Sequence, residues 1–287
     1  MAMTADVAPA YQVQVEDVAY RQDGAKPLMA TLYLPQGAGP FSGLVEVHGG
    51  AWTSKDRFNN AATAKAVAAA GVVVMSIEFR MPPEAPYPAS LQDINFAIRW
   101  LKFHARDYKS AADRVGVYGT SSGGNQALLA ALRPTDPRYA ALPFPEAPNL
   151  DAKVAYVATG WAVMDPVQRY HLAQQRGAEG LIKAHHAFWG DERMMSDGDP
   201  PLILARGEKV DMPPAFLFQG TADQWTPTPT VENFVKLYRE RGGKVELKLF
   251  EGEPHAFVND HPERPASAEA IAMLAAFCHR FAGSGPS

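Results

Sequence analysis

A serine inside a short glycine-flanked motif is the residue of this chain best placed for covalent chemistry. The segment Gly119-Thr120-Ser121-Ser122-Gly123 has the pattern G-x-S-x-G. The residues before it read as a strand, and those after it, up to residue 132, favour a helix. Glycines two positions to either side of Ser121 permit a turn so tight that its central residue takes a positive φ and exposes its hydroxyl. Ser121 is therefore the predicted nucleophile.

A serine nucleophile needs a base for its proton and N–H donors for the oxyanion that its attack creates. The segment His48-Gly49-Gly50-Ala51-Trp52 follows a strand-like run, so the backbone N–H groups of Gly50 and Ala51 are candidate donors. The N–H of Ser122, at the start of a helix, is a third. The alternative for the His48 segment is an ordinary glycine turn with no catalytic role.

The position of each aspartate relative to a strand selects the candidate acid. In an open α/β sheet, reactive groups gather beyond the carboxyl ends of the strands. Asp223 comes directly after the strand-like residues 215–219 and is the predicted acid. Asp165 follows a predicted strand at residues 153–159 and is the alternative. Asp211 precedes its strand and therefore lies at the wrong end to be the acid. The alternative for Asp223 and for Asp165 is a structural role as the cap of a turn.

The candidate base is His255, which lies just past the strand-like residues 245–250. His261 lies further along the chain, and His279 falls inside the last predicted helix. His255 also completes the chain order Ser, Asp, His, which is typical of one large group of serine enzymes. A solvated loop histidine is the alternative interpretation.

The elements that must position these residues alternate between strands and helices, which predicts an α/β fold with a mostly parallel central sheet and helices on both faces. Asp23-Gly24 predicts a hairpin turn at the start. Strands are predicted at 11–20, 28–34, 43–47, 72–77, 114–118, 153–159, 215–219 and 245–250, and helices at 60–70, 89–103, 122–132, 231–241 and 266–281. We expect one domain over residues 1–287.

A stretch without strand signals, residues 161–211, predicts a small helical cap inserted beside the site, with a helix at 168–187. Large aromatic residues fall in this cap or in the loops that carry the candidate donors and acid. They are Trp52, Trp161, Trp189 and Trp225. These rings could line an apolar substrate pocket or could equally anchor the loops to the core.

Composition excludes several other classes of function. The net charge of −4 and the lack of a Lys/Arg run predict no nucleic-acid partner. No apolar run is long enough to cross a bilayer, so no membrane partner is expected. The single cysteine, Cys278, is consistent with a reducing compartment, so we expect a cytoplasmic protein. Assembly into a homo-oligomer is left open by the sequence. No metal-ligand spacing, phosphate loop or dinucleotide motif is present, so no metal and no cofactor are expected.

From about Leu28 to Phe281 the chain resembles the α/β-hydrolase fold proteins of the hormone-sensitive-lipase-like esterase group, with their acetyl-esterase and aryl-formamidase relatives. The shared motifs are His48-Gly49-Gly50-Ala51-Trp52, residues 79–89, the turn at Ser121, Gly220-Thr221-Ala222-Asp223 and Pro254-His255-Ala256-Phe257. The resemblance implies that Ser121, Asp223 and His255 form a catalytic triad, and that Gly50, Ala51 and Ser122 donate to the oxyanion.

Two positions depart from the common pattern of that group. Ala51 replaces a third glycine, and Ser122 replaces an alanine, but neither change removes a backbone N–H. We therefore expect a serine hydrolase that cleaves carboxylic esters of small or aromatic substrates. The alternatives are an amidase or formamidase with the same triad, and a non-catalytic ligand receptor built on the same fold.

Overall fold

The period-2 alternation of the strands explains why the sheet is covered on both faces. In the computed structural model, which describes residues 11–24 and 26–282, alternate residues of each inner strand enter two different hydrophobic clusters. In β3 (Ser42–Val47), for example, Val45 and Val47 join one cluster while Leu44 joins the other. Since both faces are apolar, each must be buried against helices.

In the part of the chain that the structure describes, eight strands, numbered in chain order, form one sheet in the order β1-β2-β4-β3-β5-β6-β7-β8. The first two are antiparallel, and the strands from β4 to β8 pair in parallel. The other strands are β1 (Val13–Asp23), β2 (Lys26–Pro35), β4 (Val72–Ile77), β5 (Val115–Thr120), β6 (Val157–Gly160), β7 (Ala215–Gly220) and β8 (Val245–Phe250). This arrangement confirms the predicted mostly parallel sheet and the opening hairpin.

A different set of helices covers each face of the sheet. α1 (Ala61–Ala69) and α10 (Pro265–His279) lie on one face, with the short α9 (Phe257–Asp260) beside them. α2 (Ala89–His104), α3 (Ser122–Leu132) and α8 (Thr228–Glu240) lie on the other face. A 3₁₀ turn, Ala112–Arg114, leads into β5.

The segment between β6 and β7 contains four helices and no strand. They are α4 (Pro166–Gln175), α5 (Glu179–Trp189), α6 (Glu192–Asp197) and α7 (Pro200–Ala205). The predicted single helix at residues 168–187 was wrong, because Gly177 takes a positive φ of 62° and separates α4 from α5. The strand predicted at 153–159 is also shorter, since β6 begins only at Val157.

Candidate active site

The turn between β5 and α3 holds Ser121 in a strained backbone conformation, with φ 52° and ψ −121°. Its two flanking glycines are required by close backbone contacts. A Cβ at Gly119 would lie 2.2 Å from the carbonyl oxygen of Gly123, and a Cβ at Gly123 would lie 2.2 Å from that of Val47. The motif thus packs the strand, the turn and the helix against each other at van der Waals distance and holds the serine at the sheet edge.

Ser121, His255 and Asp223 lie in one chain of hydrogen bonds. The Oγ of Ser121 is 3.0 Å from the Nε2 of His255, and the Nδ1 of His255 is 2.7 Å from the Oδ2 of Asp223. When Nδ1 carries the proton and donates it to the carboxylate, Nε2 is free to accept the hydroxyl proton of Ser121. The three residues come from loops that follow β5, β7 and β8, as the sequence led us to expect.

The carboxylate of Asp223 is almost completely buried and is held by several donors. Its Oδ1 accepts the N–H groups of Trp225 and Thr226, at 2.8 and 2.9 Å. Its Oδ2 accepts from the Gln219 amide at 2.8 Å, the Thr226 hydroxyl at 2.6 Å and His255. Burial alone raises the pKa of Asp223, but the hydrogen bonds and the charge of His255 outweigh it and lower the pKa below its ordinary value.

Three backbone N–H groups near the serine have no acceptor within the described ranges. They belong to Gly50, Ala51 and Ser122, the predicted oxyanion donors, and no hydrogen bond to another described residue uses them. Gly50 and Ala51 both have positive φ, 107° and 51°. Gly50 also accepts the amide N–H groups of Thr53 and Ser54 through its carbonyl, which fixes the turn.

The side chain of Ser122 has a role that the sequence did not predict. Its Oγ accepts the backbone N–H of Trp52 at 3.1 Å. The loop that carries Gly50 and Ala51 is thereby connected to the first residue of α3, which carries the third donor. An alanine at this position would leave the buried Trp52 N–H without that acceptor, so Ser122 stabilises the relative position of the two loops.

Ser121 and His255 line a cavity of about 350 Å³ that also contains Gly50 and Ala51. The walls are more polar than we expected. They include Lys55 and, from α4 of the cap, Arg169, which no motif had indicated. The remaining lining residues are Gly49, Ser54, Asn59, Thr120, Trp161, Ala256, Asn259 and Asp260.

Of the four tryptophans considered as pocket walls or as loop anchors, three do not line the cavity beside Ser121. Only Trp161 lines the cavity beside Ser121. Trp52 and Trp189 are 1% and 2% exposed and pack against each other edge to face, with centroids 5.6 Å apart. The ring of Trp225 lies under the guanidinium of Arg176, at 5.1 Å. Trp52 and Trp189 instead belong to the hydrophobic core, where both pack against Phe188 of α5.

Asp165, the alternative acid, is engaged elsewhere. It is the N-cap of α4, where its Oδ1 accepts the N–H of Gln168 at 2.7 Å. His261, the next histidine along the chain, has its Nδ1 3.8 Å from the Oε1 of Glu263 and does not line the cavity. Within residues 11–24 and 26–282, no group of three or more His, Cys, Asp or Glu side chains could hold a metal ion. No described helix has both the length and the apolar character that a membrane crossing needs.

A buried carboxyl group lies directly behind the turn that holds Ser121. Glu46 of β3 is 1% exposed and accepts a hydrogen bond from the Asn60 side chain, which also donates to the Thr120 hydroxyl at 3.1 Å. Asn259, after His255, donates to the Oδ1 of Asn60 at 2.7 Å. Burial raises the pKa of Glu46 from 4.5 to about 7, against the opposing effect of the Asn60 hydrogen bond.

We expect Glu46→Gln to stabilise the protein more at alkaline than at acidic pH. The folded state binds the Glu46 proton more tightly than the unfolded chain does, so this group lowers stability as the pH rises from about 4.5 to about 7. Glutamine removes that dependence, and its gain in unfolding free energy should be larger at pH 8 than at pH 5 by about 2 kcal/mol. Urea unfolding of both proteins at the two pH values measures the difference, and an equal effect at both would contradict the assignment.

The chain is similar to known proteins in both sequence and fold. The BD-FAE family model matches residues 31–237. The carboxylesterase NlhH of Mycobacterium tuberculosis is 29% identical over 290 residues, which cover 92% of this chain and 81% of NlhH. The probable carboxylic ester hydrolase LipM of the same organism is 25% identical over 69% of this chain, and the match spans 44% of LipM. Among solved structures, the Est2 esterase of Thermogutta terrifontis superposes with a TM-score of 0.74 at 21% identity, covering 97% of each chain.

The Est2 superposition and the observed sheet agree on the α/β-hydrolase fold. The family match covers most of the chain, including the strand and turn that carry Ser121. It also agrees with the esterase relatives that the sequence motifs had indicated. The chain therefore belongs to the BD-FAE family of hormone-sensitive-lipase-like esterases and is a carboxylic ester hydrolase of the α/β-hydrolase fold.

Proposed function

We propose that this enzyme hydrolyses small carboxylic esters through an acyl-enzyme intermediate on Ser121. The observation that carries the proposal is the continuous hydrogen-bond chain from Ser121 through His255 to Asp223, which opens on a cavity beside free N–H donors. In this proposal the three residues act as nucleophile, base and orienting acid. Gly50, Ala51 and Ser122 bind the oxyanion.

In the first half of the reaction, the Oγ of Ser121 bonds to the ester carbonyl carbon while its proton passes to the Nε2 of His255. The negative charge on the carbonyl oxygen is stabilised by the N–H donors. Collapse of this intermediate breaks the bond to the alcohol oxygen, which takes the proton from Nε2. Asp223 accepts the Nδ1–H throughout and stabilises the charged imidazolium.

In the second half, a water molecule attacks the acyl carbon and gives one proton to the Nε2 of His255. The same N–H donors stabilise the second oxyanion. Breaking the bond to Oγ returns that proton to Ser121 and releases the carboxylic acid. Atoms and protons balance, since one ester and one water give one alcohol and one acid.

A preference for short acyl chains follows from the size and polarity of the cavity. Its volume is about 350 Å³, and its walls include two cationic side chains, Lys55 and Arg169. Such walls favour a short acyl group over a long alkyl chain. The structural neighbour Est2 has been solved with butyrate and with propionate bound, which supports the same size class here.

With 4-nitrophenyl esters, we expect kcat/KM to be highest for acetate to butyrate and at least about tenfold lower for octanoate and palmitate. Each added methylene beyond the cavity must remain in water or displace polar wall residues. Release of 4-nitrophenolate measures the series below the micelle concentration of each ester. A maximum at octanoate or a longer chain would contradict the short-chain proposal.

A fluorophosphonate probe tests the nucleophile directly. We expect one adduct, located by peptide mass spectrometry on the tryptic peptide that contains Ser121, and loss of hydrolysis in proportion to labelling. Matched esters and anilides of the same acid then test the amidase alternative by their kcat/KM ratio.

We further propose a cytoplasmic location, supported by the single cysteine, which cell fractionation with an antibody would test.

A further inference from the structure

A buried arginine of the cap lines the cavity that contains Ser121 and His255. Arg169 lies in α4, and only 5% of its surface is exposed. An arginine is almost never buried to this extent unless its charge is paired, because removing a guanidinium from water is costly. The hydrogen-bond partners of Arg169 therefore matter for the function of the cavity.

In the described part of the chain, the side chain of Arg169 makes no hydrogen bond and no ion pair. Its Nε and Nη1 atoms are both buried and both lack an acceptor. The guanidinium lies 5.4 Å from the ring of Trp52, a cation–π contact that satisfies no N–H donor. Burial lowers the pKa of Arg169 to about 10, opposed by the negative charge of Asp223, so the group stays positive at neutral pH.

Asp223 is the carboxylate whose negative charge acts on Arg169, and its oxygens already accept hydrogen bonds from other groups. Its two oxygens accept from two backbone N–H groups and three side chains, none of which is Arg169. The other charged groups on the cavity wall are Lys55, Asp260 and, when protonated, His255. Asp260 and Lys55 are exposed to water, and neither forms an ion pair with Arg169. Arg169 thus lines the cavity with a guanidinium whose Nε and Nη1 donors have no acceptor among the described residues.

We propose that Arg169 binds a carboxylate carried by the substrate, so that the preferred substrates are esters with a second, ionised carboxyl group. The guanidinium fork can donate two parallel hydrogen bonds to such a carboxylate, and burial strengthens that interaction. This inference rests on the proposed ester hydrolysis. It adds the chemical class of the substrate: half-esters of dicarboxylic acids, or acyl esters of hydroxy acids.

Two pairs of substrates of nearly equal size test the proposal. In the first, the acyl side carries the charge: mono-4-nitrophenyl adipate is compared with 4-nitrophenyl methyl adipate. In the second, the leaving group carries it: 4-acetoxybenzoate is compared with methyl 4-acetoxybenzoate. Spontaneous hydrolysis is subtracted in each case. The readout is the ratio of kcat/KM values, anionic over neutral, and we expect it to exceed about tenfold in at least one pair.

Arg169→Gln should reduce that ratio by at least about thirtyfold, because the carboxylate then enters a buried site without its cation. A general effect of Arg169 on the triad through Asp223 would lower both members of a pair equally and leave the ratio unchanged. Arg169→Lys keeps the charge but loses the planar fork, so its ratio should be intermediate. Lys183→Gln removes one exposed positive charge from the cap away from the cavity and should leave the ratio unchanged.

Lys55→Gln gives a second route to the answer if Arg169→Gln does not fold. Lys55 is exposed, so its interaction with an anion is screened, and we expect the preference to survive its removal. The role of Arg169 would be overturned if Lys55→Gln lost the preference for the anionic ester. It would also be overturned if the wild-type ratio of kcat/KM values, anionic over neutral, were one or less in both pairs. Failure of the wild type to hydrolyse even the neutral esters would instead overturn the proposed function itself.

Discussion

Replacing Ser121 with alanine is expected to reduce kcat for 4-nitrophenyl butyrate by at least about 10⁴-fold. Alanine removes the atom that forms the acyl-enzyme and leaves the N–H donors of Gly50 and Ala51 in place. Residual activity would then reflect the oxyanion donors and substrate binding alone. Steady-state release of 4-nitrophenolate, with the uncatalysed rate subtracted, measures the loss.

The fold of Ser121→Ala should be preserved, because alanine fits the same turn and adds no atom. Equal melting temperatures and equal circular dichroism spectra would establish this. Ser122→Ala is the matched control, since it removes the neighbouring hydroxyl without removing the nucleophile and should cost far less activity. Turnover near the wild-type level in Ser121→Ala would contradict the proposed mechanism.

Replacing Asp223 with asparagine is expected to lower kcat by about 10⁴-fold. An asparagine has only one oxygen, while both oxygens of Asp223 accept hydrogen bonds. If its NH₂ group faces His255, the imidazole must carry its proton on Nε2 and cannot accept one from Ser121. If the NH₂ group turns the other way, it meets the two backbone N–H donors of Trp225 and Thr226.

Asp165→Asn is the control for this substitution. Asp165 caps α4 and does not contact His255, and asparagine is an equally good N-cap, so kcat should change little. The comparison separates the loss of a carboxylate near the cap from the loss of the one that contacts His255. Similar kcat losses in the two variants would show that Asp223 has no special role.

Much of the fold was predictable because its inner strands are buried on both faces. β4, β8 and α3 have the predicted bounds, since an apolar run defines β4, apolar–polar alternation defines β8 and a glycine-flanked turn begins α3. The division of the cap into four helices was less evident, because those helices are short and partly exposed and their ends depend on single caps such as Asp199. The single domain over residues 1–287 stays a prediction.

The positions of Ser121, Asp223 and His255 could be inferred because each directly follows a strand, and strand ends in a parallel sheet converge at one edge. The wall of the cavity could not be inferred in this way. Arg169 has the spacing of an ordinary helix residue, and its burial arises from tertiary packing of α4 against Trp52. The tryptophans likewise gave no sequence signal that distinguishes an anchor from a pocket wall.

The packing of Trp52 against the cap restricts how substrate can enter. Trp52 belongs to the loop that carries Gly50 and Ala51, and its ring stacks on Phe188 of α5 at 5.5 Å. Rigid-body opening of the cap would separate these rings and move the proposed oxyanion donors away from Ser121. We therefore expect substrate to enter and product to leave through an opening that is always present. The cap would stay closed over the site, which is already formed before any ligand binds.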